Sequence, residues 1–414
     1  MPNNEYYKSY SFKLFSLDVL LSTILVFVIL FIIPLFFSFD FFKPFKNALA
    51  DFQITDVYFS SILPELDIEK ETDIVIVNTG IKTLDGIQEV SDVAYLKLIN
   101  ALSNTGASVV GVDYDFKAEE GSKLFEATKT YLSTVNLVLA DNINIAKYKP
   151  KKEDDVEFGY NWGFKNILDN NRQETNTVRN FKPLLYSELD TFYHFGIKLA
   201  KQYNPDAVDR LFELDKDLVR INYRGNWDKF NIIDIKQVLN GDYEEGYFDN
   251  KIVITGVIDT SGTSDDFSRL YYTPLNETTS GRTFPDMYET IILANIVSMI
   301  ITDDYFTEIS SIIVLAIAFI ICYINMVLFG YIGYKAQKYY ELLAVLIFMI
   351  ESFSVAFLTV NLFYTYKIEI DLTLVIIATA LTIVVYELYT DSVKPFTKLL
   401  ISKFRKNDNN ELFA

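Results

Sequence analysis

The chain of 414 residues has one cysteine, one histidine, two tryptophans and too few basic residues, 37 Lys+Arg against 55 Asp+Glu, to balance its acids. Each scarcity closes a class of function. Cys322 alone cannot close an internal disulfide, and His194 without a Cys or second His cannot build a His/Cys zinc site or a Cys/His dyad. A net charge of -18 argues against a surface that neutralises phosphates, so nucleic acid is not an expected partner. No Asp/Asn run with a closing Glu has EF-hand spacing. No catalytic constellation, resident metal or cofactor is therefore expected, and the chain is not expected to be an enzyme.

What is abundant is apolar: 50% of residues are hydrophobic, with 34 Phe and 28 Tyr, and the mean hydropathy is +0.17 despite 22% charged residues. Charge and apolarity must then be segregated along the chain. Val19 to Phe39 and Ile309 to Tyr334 are free of charge, Leu342 to Tyr366 is interrupted only by Glu351, and Leu372 to Thr390 only by Glu387. A bilayer core takes about 20 helical residues, so these runs predict four transmembrane helices at 15–39, 308–334, 341–366 and 371–390. The first is too long for a signal-peptide core of about 7 to 15 residues and reads as a retained anchor.

Orientation follows the Lys/Arg distribution. Lys8 and Lys13 in the tail 1–14, Lys335 and Lys338 between the second and third spans, and Lys394, Lys398, Lys403, Arg405 and Lys406 in the tail 391–414 fall on one side; the loop between the last two spans has only Lys367. Lys43 and Lys46 dissent. Both termini are expected in the cytoplasm and residues 40–307 outside it, where 27 Lys+Arg face 44 Asp+Glu. The basic, amphipathic stretch Lys398 to Lys406 suits the lipid surface of the bilayer or a docking partner.

Within 40–307, short runs rich in β-branched residues alternate with helical periodicity. Thr72 to Val77 reads as a buried strand; Ser91 as an N-cap for a helix with Val93, Leu96, Ile99 and Leu102 on its apolar face and Gly106 at its C-terminus; and Ser108 to Tyr114 as the next strand. Asp73 to Tyr114 is thus a candidate βαβ unit with parallel pairing. Further helices are expected at Ser122 to Leu132, Ser187 to Gln202 and Pro285 to Met299, and strands at Leu137 to Ala140, Leu218 to Tyr223 and Lys251 to Val257. Lys147 to Asp155 and Asp169 to Arg172 read as solvated surface turns, and the Asn276 sequon carries no weight. The pattern predicts an α/β domain with a mainly parallel sheet, joined to one N-terminal and three C-terminal transmembrane helices.

Asp56 with its amphipathic stretch, Asp73-Ile74-Val75-Ile76-Val77, Gly111-Val112-Asp113-Tyr114-Asp115-Phe116, Gly163 to Pro183 with Asp169 and Arg179, Lys251 to Gly256 with Asp266, and Thr273-Pro274-Leu275 form an ordered set. Together with the span layout, this set resembles the CHASE-two family, an extracytoplasmic sensory domain of bacterial membrane receptors. The resemblance covers roughly residues 50 to 392. It implies a multi-pass protein of the bacterial inner (cytoplasmic) membrane with its large domain in the periplasm or outside. The departures are Asn78-Thr79-Gly80 in place of an acidic pair, no Trp-Pro-type turn before the first helix, and Tyr288-Glu289 in place of His-Ala. Family receptors often continue into a cyclase, kinase or phosphatase; with about two dozen residues after the last span, none is expected here.

Ligands of parallel α/β sheets lie outside the carboxyl ends of the strands, which nominates Asn78, Thr79, Asp113, Asp115, Asp141 and Asp259 to hold an extracytoplasmic ligand of unknown identity. The simpler alternative is that these residues cap turns. His194 is expected as a packed histidine inside its helix. In the membrane, Glu351 has Asn325, Asn361 and Tyr386 as polar partners, and reads as helix-helix glue ahead of a proton path. Two functions remain: a sensor relaying an envelope or extracellular signal to a separate protein partner in the membrane or cytoplasm, or a non-catalytic subunit of a multiprotein cell-envelope complex.

Overall fold

The computed structural model describes residues 16–36, 53–83, 86–116, 130, 136–142, 161–167, 177–186, 191–259, 267, 269–276, 284–397 and 399. The chain divides into two compact units, Asp51–Phe306 and the combination of Met1–Ala50 with Thr307–Ala414. In chain order the principal helices are α1 (Leu17–Phe36), α2 (Asp92–Ser103), α3 (Phe195–Tyr203), α4 (Pro205–Glu213), α5 (Ile235–Asn240), α6 (Glu289–Ile301), α7 (Ser311–Lys335), α8 (Tyr340–Tyr366) and α9 (Thr373–Leu388). The main sheet uses β1 (Ile74–Asn78), β2 (Val109–Val112), β3 (Leu137–Asp141), β4 (Trp162–Phe164), β5 (Asn231–Asp234) and β6 (Ile252–Gly256).

In Asp51–Phe306 these six strands are all parallel, in the order β5-β1-β6-β2-β3-β4. The central strands are apolar at nearly every position because both faces are covered. Val75, Val77, Val110, Val112 and Val253 pack with Tyr95, Leu98, Ile99 and Leu102 of α2 and Ile235 and Val238 of α5. Helix α6 is buried from Thr290 to Ile300, so over that stretch it has no solvent-exposed face. Gly111 on β2 leaves room for α3, since a Cβ there would stand 2.7 Å from the Phe195 ring.

Several expectations need correction. Strands β1 and β2 do flank α2, yet β6 lies between them, so the βαβ unit is not directly paired. Ser91 caps α2 through the Ala94 amide (3.4 Å), but Val93 is exposed and Asn104, not Gly106, ends the helix. The helix expected from Ser187 begins at Phe195; Thr191–Tyr193 is a strand that pairs with Leu184–Tyr186, and its β-branched and aromatic residues explain why. His194 is accordingly the N-cap of α3, accepting from the Gly196 amide at 3.1 Å through Nδ1, rather than an interior helical residue. Only Val219–Arg220 of Leu218 to Tyr223 is strand, and it pairs with Asn180–Phe181 outside the main sheet. The helix expected at Pro285 starts at Glu289, after the short strand Met287–Tyr288. The expected helix Ser122 to Leu132, apart from Thr130, and the turns Lys147 to Asp155 and Asp169 to Arg172 lie outside the described residues, as does nearly all of Lys398 to Lys406.

In the other unit, three helical stretches are long and apolar enough to cross a membrane: Ser311–Lys335, Gln337–Tyr366 and Thr373–Thr397. Of α1, Leu17–Ile32 is an apolar stretch shorter than a span. Val19, Val26 and Phe27 of α1 join Ala318, Cys322 and Met326 of α7 and Val375, Ala378 and Val385 of α9 in one apolar cluster. Asp18 at the start of α1 meets Lys394 (2.5 Å) and the Tyr389 hydroxyl (3.0 Å). Glu351 on α8 accepts from the Asn325 amide on α7 at 2.9 Å.

Candidate functional site

The carboxyl ends of the strands sort the nominated residues into two groups. Asn78 at the end of β1 accepts from the amides of Gly80 (3.0 Å) and Ile258 (3.1 Å), and donates to Asp234 at the end of β5 (3.0 Å). It splices three strand ends together. Thr79 is buried, its amide bonded to the Gly256 carbonyl at 2.9 Å. Asp141 is exposed and accepts from the amide of Asn142 at 2.7 Å, a turn contact. Asp259 is half-buried and is not part of the cleft formed at this edge. Asp113 and Asp115 are.

That cleft has a volume of about 420 Å³ and is lined by Glu89, Asp113, Tyr114, Asp115, Lys165, Val257, Arg269, Tyr271, Tyr288, Glu289 and Thr290. Each charged group arrives by a traceable route. Asp113 follows the last residue of β2, and Lys165 follows the last residue of β4, held there by its amide bond to the Asp141 carbonyl (2.9 Å). Glu289 is the first residue of α6, where a carboxylate also suits the helix dipole. The Lys165 ammonium reaches Asp113 at 2.6 Å and Glu289 at 3.3 Å, and Arg269 reaches Glu89 at 2.7 Å on the more exposed side. The glycine at position 256 lets α6 start against the sheet, because a Cβ there would collide with the Thr290 side chain.

Burial and crowding set the charge states. Burial raises the Glu289 carboxyl, the Asp113 charge raises it further, and Lys165 pulls back only in part, leaving it at about 7. For Lys165 burial works against the charge, but the two carboxylates outweigh it and hold the ammonium well above the ordinary lysine range. Tyr114 is raised by burial and by its bond to Asp92 (2.8 Å). An ammonium pinned in this way keeps its charge across the neutral range.

Lys165, Arg269 and Glu89 belong to no motif in the sequence, and Glu289 stands out there only as a departure from a family pattern. Lys165 had one available signal, its place directly after the Trp162-Gly163-Phe164 run. A second ionic cluster, equally unforeseen as a unit, joins two residues noted separately. Arg179 donates to Asp56 at 2.9 Å and 2.5 Å, with Arg220 at 3.7 Å from the same carboxylate and bonded to Gln53 (2.6 Å) and Thr55 (2.9 Å). Among the described residues no group of three or more His, Cys, Asp or Glu side chains is placed to hold a metal ion.

The arrangement can bind a polar solute between fixed charges of both signs, at the point where a sheet edge meets the first turn of a buried helix. Compared with known proteins, the chain matches the family model of the CHASE2 domain over residues 24–328. No curated protein and no solved structure matches it.

Proposed function

The chain belongs to the CHASE2 domain family, whose members are extracytoplasmic sensory domains, and from that premise we propose that it is a membrane sensor that relays its signal to a separate protein partner without an enzymatic activity of its own. The observation that carries this reading is the Lys165 bridge, which links the ends of β2 and β4 to the first residue of α6 inside the cleft. Helix α6 has 13 residues, about 20 Å of buried rod, and its last residue, Ile301, stands ten residues before α7 in the sequence. A solute that displaces or reinforces the Lys165–Glu289 contact acts on the start of that rod. Differential affinity for two positions of α6 is then all a relay needs.

The proposed topology has four spans with α1 as the first, both termini in the cytoplasm, and the α/β domain outside the bacterial inner membrane. The packing of α1 into the cluster of α7 and α9 and the lysine and arginine distribution support it. Cysteines placed at Asn4, Asp154 and Asn409 in a Cys322→Ser background test it: an impermeant thiol reagent on intact cells should label position 154 alone. Labelling at either tail overturns the orientation. The relay is tested by affinity purification of the full chain from membranes. A co-purifying kinase, cyclase or phosphatase is the expected result; a stoichiometric envelope complex with no such component overturns relay in favour of a non-catalytic structural subunit.

A further inference from the structure

The balance of charge in the cleft points to the class of ligand that it takes. Four carboxyl groups, Glu89, Asp113, Asp115 and Glu289, line it against two cations, Arg269 and Lys165. Arg269 is matched by Glu89. The single Lys165 ammonium has to serve both Asp113 and Glu289, and Asp115 is exposed with no cation paired to it among the described residues. The cleft is therefore short of positive charge by about two, and no third lysine or arginine lines it.

Resting on the sensory reading above, we propose that the cleft binds a small organic cation, an alkylammonium or quaternary ammonium compound, whose charge lies between Asp115 and the Asp113–Glu289 pair. Its volume of about 420 Å³ falls in the ordinary range for small-molecule sites, roughly 300–1,000 Å³. Three tyrosines, Tyr114, Tyr271 and Tyr288, contribute to the lining, and aromatic rings suit an ammonium ion better than they suit an anion. A hard divalent ion lacks a set of three acidic ligands here, and an anion would enter a field that is already negative. Burial first, and the Asp113 charge second, raise the Glu289 carboxyl to about 7; a cation in the cleft competes with that proton, so binding strengthens as pH rises through about 7. The charged groups acting on Glu289 are Asp113 beyond β2, Lys165 beyond β4 and Arg269 beside the strand Leu270–Tyr271.

Calorimetric titration of the full chain in detergent with putrescine and with choline, against magnesium and acetate as counter-probes, tests the proposal. At least one organic cation should bind saturably, about tenfold more weakly in Asp115→Asn and in Glu289→Gln, with Glu289→Gln also losing the pH dependence. Asp141→Asn removes a carboxylate at the same sheet edge but outside the cleft, and should leave binding unchanged. Melting temperatures of the variants establish that each is folded. If neither organic cation binds the folded wild-type chain, if acetate or magnesium binds more tightly than both, or if Asp141→Asn weakens binding as much as Asp115→Asn, the proposal is overturned. Those outcomes remove the ligand class alone, whereas the sensory reading falls on the co-purification result.

Discussion

Two ionic clusters of the α/β domain carry unbalanced charge, and they resolve it in opposite ways. At Asp56 two guanidinium groups share one fully buried carboxylate, and the two terminal nitrogens of Arg220 donate to neutral oxygens of Gln53 and Thr55 from the same short segment. At Lys165 two carboxylates share one ammonium, and among the described residues no neutral donor closes the set; burial and the Asp113 charge raise the proton affinity of Glu289, and the cleft is open. Charge sealed by neutral partners is architecture, because any change leaves a buried ion bare. Charge left to a proton or solute can change state without unfolding the domain. That difference, more than burial, sets the Lys165 cleft apart from the Asp56 cluster.

The largest effect is expected at the sealed cluster. Asp56→Asn keeps the size and one acceptor but strips the counter-charge from Arg179 and Arg220, which should cost about 3–5 kcal/mol of stability in thermal denaturation of the full chain. A loss no larger than that of Glu289→Gln would break the contrast between the two clusters.

Glu289→Gln should act the other way. With its pKa raised from 4.5 to about 7, folded Glu289 holds a proton that the unfolded chain has already released. Its contribution is thus complete below about pH 4.5 and is lost as pH rises through about 7. Asp286, raised by burial to about 6, has the same sign over a lower window, and His194, lowered by burial to about 3, has the opposite sign below pH 6.5. Subtracting the Glu289→Gln profile from that of the wild type cancels both. The variant should gain on the wild type by on the order of 1 kcal/mol between pH 5 and pH 8. A difference that stays flat with pH would place Glu289 in a sealed cluster like that of Asp56.

What could be read from the sequence divides along the same line. The cores of β1, β2, β3 and β6 were legible because strands buried on both faces are continuous apolar runs. Strands β4 and β5 were not: three and four residues long at the two edges of the sheet, they carry too little apolar signal to stand out. Asp113 and Asp115 were legible as strand-end carboxylates. Lys165, Arg269 and Glu89 were not, because their meeting depends on β4 and on the segment before α6, and a charged residue beside a short strand looks like any solvated residue. Asn78 shows the converse, a nominated ligand whose hydrogen bonds go to the strand ends instead.

The smallest effect is expected in the membrane unit, at contacts away from its Asp18–Lys394 ion pair. Thr359 and Thr379 each return a hydroxyl to the carbonyl four residues earlier, within their own helices. Glu351 is different, since its oxygen accepts from Asn325 on another helix, while the Asn325 carbonyl oxygen is buried without a hydrogen-bond partner. A glutamine at 351 can accept from the Asn325 amide and also donate to that carbonyl, which a carboxylate cannot do. Glu351→Gln should therefore match the wild type in thermal stability, whereas Glu351→Leu, which leaves both Asn325 groups unmatched, should lose roughly 0.6 kcal/mol, the usual size of an interhelical hydrogen bond in a bilayer. Where the purification yields a signalling partner, its output supplies the second measurement. If Gln preserves stability but silences that output, the titratable proton of Glu351 matters in its own right, and the contact is more than a tie between two helices.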